Sequence, residues 1–172
     1  MENLKIKYER RFLLADLPAP LVRASEHNQF FDNYLTDTRL FLRQIRTPRT
    51  KERTRCLIKK YAIAPPDPAR VGIAAIELSE YEYEVLSVFE GNELRYNRYR
   101  HTLETGEKIW IDMFLNRELW NLIVATAEFE TSADAENFKF PLAGAEITHD
   151  DFFAPAKLVE TNIEQIRRRI NF

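Results

Sequence analysis

The sequence predicts an α+β domain made of mostly antiparallel strands, with helices packed on the outside. Several segments alternate apolar and charged residues with the period of two that gives a β-strand two different faces. In segment 5–14 the charged face consists of Lys7, Glu9 and Arg11, and the other face of Ile6, Tyr8 and Phe12, with Arg10 as the exception among them. When several strands each present a charged face, those faces can line one interior. The pattern therefore predicts a closed barrel with a charged lumen.

Length, charge and cysteine content define the general class of protein. A chain of 172 residues is expected to form one domain, 1–172, with a real core. The net charge of −2 provides no overall basic field, so nucleic acid is not expected and a polyanion would need a local basic site. The single cysteine, Cys56, excludes an intramolecular disulfide and fits a reducing compartment. No signal peptide or long apolar run is found, which predicts a cytoplasmic protein outside the membrane.

Proline-rich and polar stretches divide the chain into elements. Segment 16–20 predicts the lead into a short helix that runs through His27, with Asp16 as its cap. The polar stretch 47–52 predicts a hairpin loop, and 62–72, with three prolines, predicts a longer surface loop. Strands are predicted at 30–35, 39–43, 56–60, 72–78, 95–102, 107–114 and 124–130.

Three further helices are predicted between and after these strands. Ser79 and Glu82 have the spacing of a capping box, which predicts a helix that ends near Gly91. The residues that leave an alternative open are Glu80, Glu82 and Glu84, which alternate with Tyr81, Tyr83 and Val85 and would also suit an acidic strand. We prefer the helix because a strand would leave little chain for a helix before Arg98. A short helix after Ser132 and a longer amphipathic helix over 155–170 complete the prediction.

The charged strand faces carry both signs. Their basic residues are Lys7, Arg11, Arg39, Arg43, Lys59 and Arg98, and their acidic residues are Glu9, Glu77, Asp112, Glu128 and Glu130. Arginine matches phosphate oxygens through paired donors, and carboxylates two residues apart on one strand can share Mg²⁺ or Mn²⁺. Spacing alone leaves two readings open, because the charged face of an antiparallel sheet is most often simply exposed to water.

The order of several short motifs resembles the CYTH, or triphosphate tunnel, family of metalloenzymes over about 5–160. Segment 7–13 resembles that family's Glu-x-Glu-x-Lys strand, and 32–35 followed by Arg39 and Arg43 resembles its Tyr-Leu strand and arginines. Lys59 stands where the tunnel lysine follows. Later segments that resemble family motifs are 98–99, 110–114, 127–130 and 146–148.

The resemblance implies an eight-stranded antiparallel tunnel that hydrolyses a triphosphate, inorganic or small organic, with Mg²⁺ or Mn²⁺. The residues it would make catalytic are Glu9, Asp112 and Glu130. The metal ligands it implies are Glu9, Glu128, Glu130 and Glu77. The phosphate-binding residues it implies are Arg11, Arg39, Arg43, Lys59 and Arg98, with Lys7 as an added contact. The alternatives are a weakly active or inactive tunnel that binds polyphosphate, and below it an adenylate cyclase. The expected partner is a small polyphosphate ligand, and a homodimer is left open.

This chain departs from the family pattern in its first strand. Lys7 stands where the first glutamate of Glu-x-Glu-x-Lys is expected, and Arg11 where the lysine is expected. A cation at position 7 repels the metal that a glutamate would hold, although it adds a phosphate contact. Only Glu77 is found on segment 72–78, where two carboxylates are common. We therefore expect the tunnel to be retained with fewer metal-binding residues.

Overall fold

The computed structural model describes residues 4–61, 63, 67 and 69–170. Its strands are β1 Lys5–Leu14, β2 Asn28–Leu35, β3 Leu40–Arg46, β4 Arg53–Tyr61, β5 Arg70–Glu77, β6 Gly91–Thr102, β7 Lys108–Phe114, β8 Ile123–Phe129 and β9 Ala145–Glu146. Its helices are α1 Glu80–Leu86, α2 Ser132–Asn137, α3 Pro155–Leu158 and α4 Ile163–Ile170. Within these ranges no helix is long and apolar enough to cross a membrane.

Eight of the strands close into an antiparallel barrel. The strand order is β5-β4-β3-β2-β6-β7-β8-β1, and a further pairing between β1 and β5 closes it. β1 makes the closure because residues 5–8 pair with β5 while residues 8–14 pair with β8 on the other side. The short β9 pairs with β1 beside Phe12 and Leu13. The predicted α+β fold, with a closed eight-stranded antiparallel barrel and helices outside, is confirmed.

Two apolar clusters hold this barrel. The first joins interior side chains at one end of the barrel to the C-terminal segment, and consists mainly of Leu13, Phe30, Leu94, Tyr96, Phe114, Val124, Phe153, Leu158 and Ile166. The second lies on the outer faces of β1 and β6–β8 and includes Phe12, Tyr99, Ile111 and Met113, against which Leu17, Leu21 and Phe140 pack. Apolar residues therefore fill one end of the interior, and the charged residues are left to line the rest.

Two helix predictions are confirmed and two are wrong. α1 begins with the predicted capping box between Ser79 and Glu82, so the acidic residues of 80–84 lie on a helix, although it ends at Leu86 and β6 already begins at Gly91. The short helix after Ser132 is α2. Segment 15–27 contains turns and bends instead of a helix. Pro18 and Pro20 have no N–H to donate to a helix, and the leucines beside them pack on the outer cluster.

The predicted long helix over 155–170 is interrupted. It forms the short helices α3 and α4, separated at 159–162. Asn162 and Gln165 explain the break, because each accepts the backbone N–H of the other at 3.0 Å and so caps a new helix start. The predicted loop 62–72 lies partly outside the described residues, and within it β5 begins at Arg70.

Candidate functional site

The barrel encloses a cavity whose lining is rich in charge. The charged lining residues are Lys7, Arg11, Arg43, Lys60 and Arg98 on the basic side and Glu9, Asp32, Asp112 and Glu128 on the acidic side. Five cations against four carboxylates leave one net positive charge when all are ionised. The free volume of about 100 Å³ is enough for several water-sized groups. The charged lumen predicted from the alternating strands is therefore present.

Strand register forms two ion pairs inside this cavity. Asp32 of β2 lies directly opposite Arg43 of β3, and Arg98 of β6 directly opposite Asp112 of β7, so each pair faces the same side of the sheet. Arg43 donates from Nε and Nη2 to the two oxygens of Asp32, both at 2.7 Å. Arg98 donates to Asp112 in the same two-pronged way at 2.6 and 2.7 Å.

Burial gives these two pairs their electrostatic character. Asp32 is only 1% exposed and also accepts a hydrogen bond from the Tyr96 hydroxyl at 3.1 Å. Burial by itself lowers the pKa of Arg98, but Asp112 and Tyr96 outweigh it and raise that pKa overall. The same balance, with Tyr96 and Asp32 as partners, raises the pKa of Arg43. Both guanidinium groups therefore stay charged, and each leaves Nη1 without a hydrogen-bond partner among the described residues.

A third group of charges lies on β1 and β8. Glu9 is the direct register partner of Glu128, so two carboxylates meet across the strands. The ammonium of Lys7 lies between them, 3.2 Å from Oε1 of Glu9 and in hydrogen-bond contact with Oε1 of Glu128. The lysine thus neutralises part of a repulsion that two facing carboxylates would otherwise produce.

Two cations in the cavity have no ion-pair partner within the described part of the chain. The Arg11 guanidinium and the Lys60 ammonium both face the cavity and form no hydrogen bond or salt bridge there. Burial lowers the pKa of Arg11, an effect that the nearby charges of Glu9 and Asp112 partly oppose. Burial also lowers the pKa of Lys60 to about 8, again against the attraction of Glu9. Within the described residues both groups therefore have donors without an acceptor, in a site that favours an added negative charge.

Most of the predicted site residues come together in the cavity. Those that line it are Lys7, Glu9, Arg11, Arg43, Arg98, Asp112 and Glu128. The roles predicted for them remain predictions.

Four other predicted residues lie outside the cavity lining. Arg39 and Glu130 are exposed and lie just beyond the ends of β3 and β8. Glu77 is exposed at the last position of β5. Lys59 points to the outer face, where its ammonium lies 5.4 Å from the centre of the Tyr61 ring. Arg39 and Glu130 are not in the lining because β3 begins after Arg39 and β8 ends before Glu130, so strand alternation does not direct either side chain inward.

Lys60 and Asp32 are the charged lining residues that were not predicted. The pairing of β3 with β4 places Leu40 opposite Lys59 and Arg43 opposite Cys56, so every second residue from Cys56, including Lys60, shares the face of Arg43. A correct hairpin register would have identified it. Asp32 lies two positions from both Phe30 and Tyr34 and shares their face of β2, so the period of two, applied to this strand, would have identified it as well.

The donor atoms of the site are poorly suited to a divalent metal. No group of three or more His, Cys, Asp or Glu side chains that could hold a metal ion occurs among the described residues. Asp32 and Asp112 bind arginines through both oxygens, and Glu9 and Glu128 contact the Lys7 ammonium. Mg²⁺ prefers near-octahedral coordination by oxygen. The residues present therefore do not fit a divalent metal while Lys7 occupies this position.

The fold and the cavity define a class: an antiparallel eight-stranded tunnel barrel with a charged interior. Solved structures that are similar to it include the crystal structure of the hypothetical protein NE1496, with a TM-score of 0.60 and 20% identity, covering 91% of this chain and 99% of that chain. They also include the crystal structure of the inorganic triphosphatase NE1496, with a TM-score of 0.59 and 21% identity, covering 89% of this chain and 93% of that chain. At this identity the likeness establishes a shared fold, and that fold is the closed eight-stranded antiparallel tunnel that the sequence motifs led us to expect. No family model and no curated protein matches the sequence.

Proposed function

We propose that the interior of the barrel binds the phosphoryl chain of inorganic triphosphate or of a small organic triphosphate. The observation that carries this proposal is that the cationic groups of Arg11 and Lys60 line the cavity and have no hydrogen-bond or ion-pair partner among the described residues. An anion that bound there would supply the missing partners for both. The arginine fork suits two phosphate oxygens, and the lysine acts as a compact point charge.

The paired arginines extend this site. Arg43 and Arg98 hold their carboxylate partners through Nε and Nη2, which leaves Nη1 of each able to donate to a ligand. Because their orientation is fixed by the ion pairs, little side-chain freedom would be lost on binding. Several cations along one cavity favour an extended chain of phosphoryl groups over a single phosphate.

Hydrolysis of the triphosphate, with Mg²⁺ or Mn²⁺, is the second candidate function. One solved structure that shares this fold is that of the inorganic triphosphatase NE1496. The residues that could hold the metal in this chain are Glu9 and Glu128, and Lys7 would first have to leave them. In either case Arg11, Lys60 and the two paired arginines would position the phosphates and neutralise their charge, which is the main contribution of a protein to phosphoryl transfer.

Calorimetric titration with inorganic triphosphate tests the proposal, and Lys60 and Lys59 provide a matched pair of variants. Lys60→Met should raise the Kd by tenfold to a hundredfold, because a hydrogen bond to a charged group is worth about 1.5–3 kcal/mol. Lys59→Met should leave the Kd within about twofold, because the half-buried Lys59 side chain lies on the outer face of β4 and does not line the cavity. Absence of saturable binding, or the opposite order of the two variants, would contradict the proposal.

Phosphate release measured in parallel separates binding from hydrolysis. The assay compares inorganic triphosphate with ATP and thiamine triphosphate, each with Mg²⁺, with Mn²⁺ and with chelator. Metal-dependent turnover that is lost in Glu128→Gln would establish the second candidate function. Saturable binding without turnover under every condition would leave a binding tunnel.

A further inference from the structure

The Lys7 ammonium contributes to the charge balance of the cavity. Its ammonium contacts both Glu9 and Glu128, which face each other across β1 and β8. Two facing carboxylates can also hold a hard metal cation between them. Here the cation is part of the chain itself.

The total charge of the lining also supports the comparison of the Lys7 ammonium with a bound metal cation. With Lys7 the cavity carries one net positive charge, from five basic and four acidic side chains. A glutamate at position 7 would change this to four basic and five acidic side chains, or one net negative charge. A divalent cation added to that variant would restore one net positive charge. Lys7 alone thus gives the interior the same charge that a glutamate and a divalent metal would give together.

The remaining carboxylates of the described residues do not form a second metal site. Asp32 and Asp112 each bind an arginine through both oxygens. Glu77 and Glu130 are exposed outside the lining. A divalent ion entering the described cavity would therefore have to compete with the Lys7 ammonium for Glu9 and Glu128.

We infer that the Lys7 ammonium takes the place of a divalent cation between Glu9 and Glu128, so that this cavity accepts triphosphate without a metal ion. This inference rests on the proposed function, since it concerns the same ligand and the same cavity. The ammonium both holds the two carboxylates together and contributes a positive charge to the lining that would face the phosphoryl chain.

The first test is calorimetric titration of the full chain with inorganic triphosphate at pH 7, in chelator and in Mg²⁺, at matched ionic strength and corrected for Mg²⁺ bound to free triphosphate. The Kd values in the two conditions should agree within about threefold. Lys7→Glu should bind at least tenfold more weakly in chelator and regain affinity when Mn²⁺ is added. Lys7→Gln removes the charge without adding a carboxylate, and it should also bind at least tenfold more weakly in chelator.

The second test measures Mn²⁺ binding directly, by electron paramagnetic resonance and without triphosphate. The native chain should leave Mn²⁺ free, whereas Lys7→Glu should bind it. Lys5→Glu is the matched control, because Lys5 is an exposed residue at the start of the same strand and outside the cavity lining. It should behave like the native chain in both tests, and circular dichroism checks that each variant is folded.

The outcomes separate this inference from the proposed function. Triphosphate binding by the native chain that requires Mg²⁺ or Mn²⁺, or Mn²⁺ binding by the native chain itself, would overturn the role of Lys7 and leave the proposed ligand standing. Failure to bind triphosphate in any condition would overturn the proposed function. Mn²⁺ binding by Lys7→Glu but not by the native chain would still support the replacement of a metal by the ammonium.

Discussion

Replacing Asp32 by asparagine should destabilise the protein and strengthen triphosphate binding at the same time. Asp32 is 1% exposed and accepts two hydrogen bonds from Arg43 at 2.7 Å and one from Tyr96 at 3.1 Å. The asparagine has nearly the same size but no charge and only one acceptor oxygen. Arg43, whose raised pKa keeps it protonated, would then be a buried cation without its partner.

The magnitude follows from the burial of the two partners. Removing one partner of a buried ion pair costs about 3–5 kcal/mol. We expect about 3 kcal/mol in the free energy of unfolding, the lower end of that range, because the Arg43 side chain is 20% exposed toward the cavity and Asn keeps one acceptor. For a chain of this length that corresponds to a decrease in Tm of roughly 6–12 °C.

Urea denaturation followed by circular dichroism measures this change. The matched control is Glu93→Gln, because Glu93 also accepts two hydrogen bonds from one arginine, Arg95, but both side chains are 50% exposed. The control should lose less than about 1 kcal/mol, as exposed ion pairs do. A loss below about 1 kcal/mol for Asp32→Asn would refute the view that burial makes this pair structurally important.

The effect on the ligand has the opposite sign. Without Asp32 the cavity gains one net positive charge, and the guanidinium of Arg43 becomes available to a phosphate. A new charge-assisted hydrogen bond of about 1.5 kcal/mol would lower the Kd for inorganic triphosphate by about tenfold. Calorimetric titration in chelator measures it, and a higher Kd in the folded variant would show that the ion pair shapes the site instead of competing with the ligand.

Three further perturbations test the site and its support. The pKa of Lys60, which burial lowers to about 8, makes the side chain cationic below that pH and neutral above it, so triphosphate affinity should fall as the pH rises through about 8. The ratio of the Kd of Lys60→Met to that of the native chain, which cancels the ligand's own titration, should fall toward one over the same range; a ratio independent of pH would contradict this assignment. The charged groups that act on Lys60 are Glu9, Arg11, Arg43 and Asp32. Leu158→Ala should cost about 2–5 kcal/mol in chemical denaturation, because this fully buried side chain packs in the first apolar cluster; a loss under about 1 kcal/mol would show that the C-terminal segment is not needed to close the core. Ser79→Ala removes one half of the exposed capping box of α1 and should cost about 1 kcal/mol in thermal unfolding, with triphosphate affinity unchanged; a change in affinity would connect α1 to the cavity.

Local patterns were enough to predict much of the barrel. The period of two identified which charged residues of β1, β7 and β8 face the interior, including Glu9, Asp112 and Glu128. The capping box at Ser79 correctly identified a helix where alternating acidic residues also suggested a strand. These predictions succeed because side-chain alternation and helix capping depend only on residues a few positions apart.

The period of two and the apolar stripe left two other features undecided. Whether Lys59 or Lys60 enters the cavity depends on the register between β3 and β4, and a shift of one residue exchanges the two faces. The break before α4 depends on the cap at Asn162, and the continuous apolar stripe over 155–170 gave no sign of it. One continuous helix and two successive helices can present the same apolar stripe, so the stripe does not show where one helix ends and the next begins.

The chain by itself determined that a lysine stands at position 7, within a strand whose charged face points inward. Only the tertiary structure decided what that lysine does, because Glu128 lies 121 positions away and reaches Lys7 through the pairing of β1 with β8. Local alternation assigns a side chain to a face, whereas barrel closure assigns it neighbours. The sequence therefore gives the charge of a residue, but strand pairing determines which other charges lie next to it.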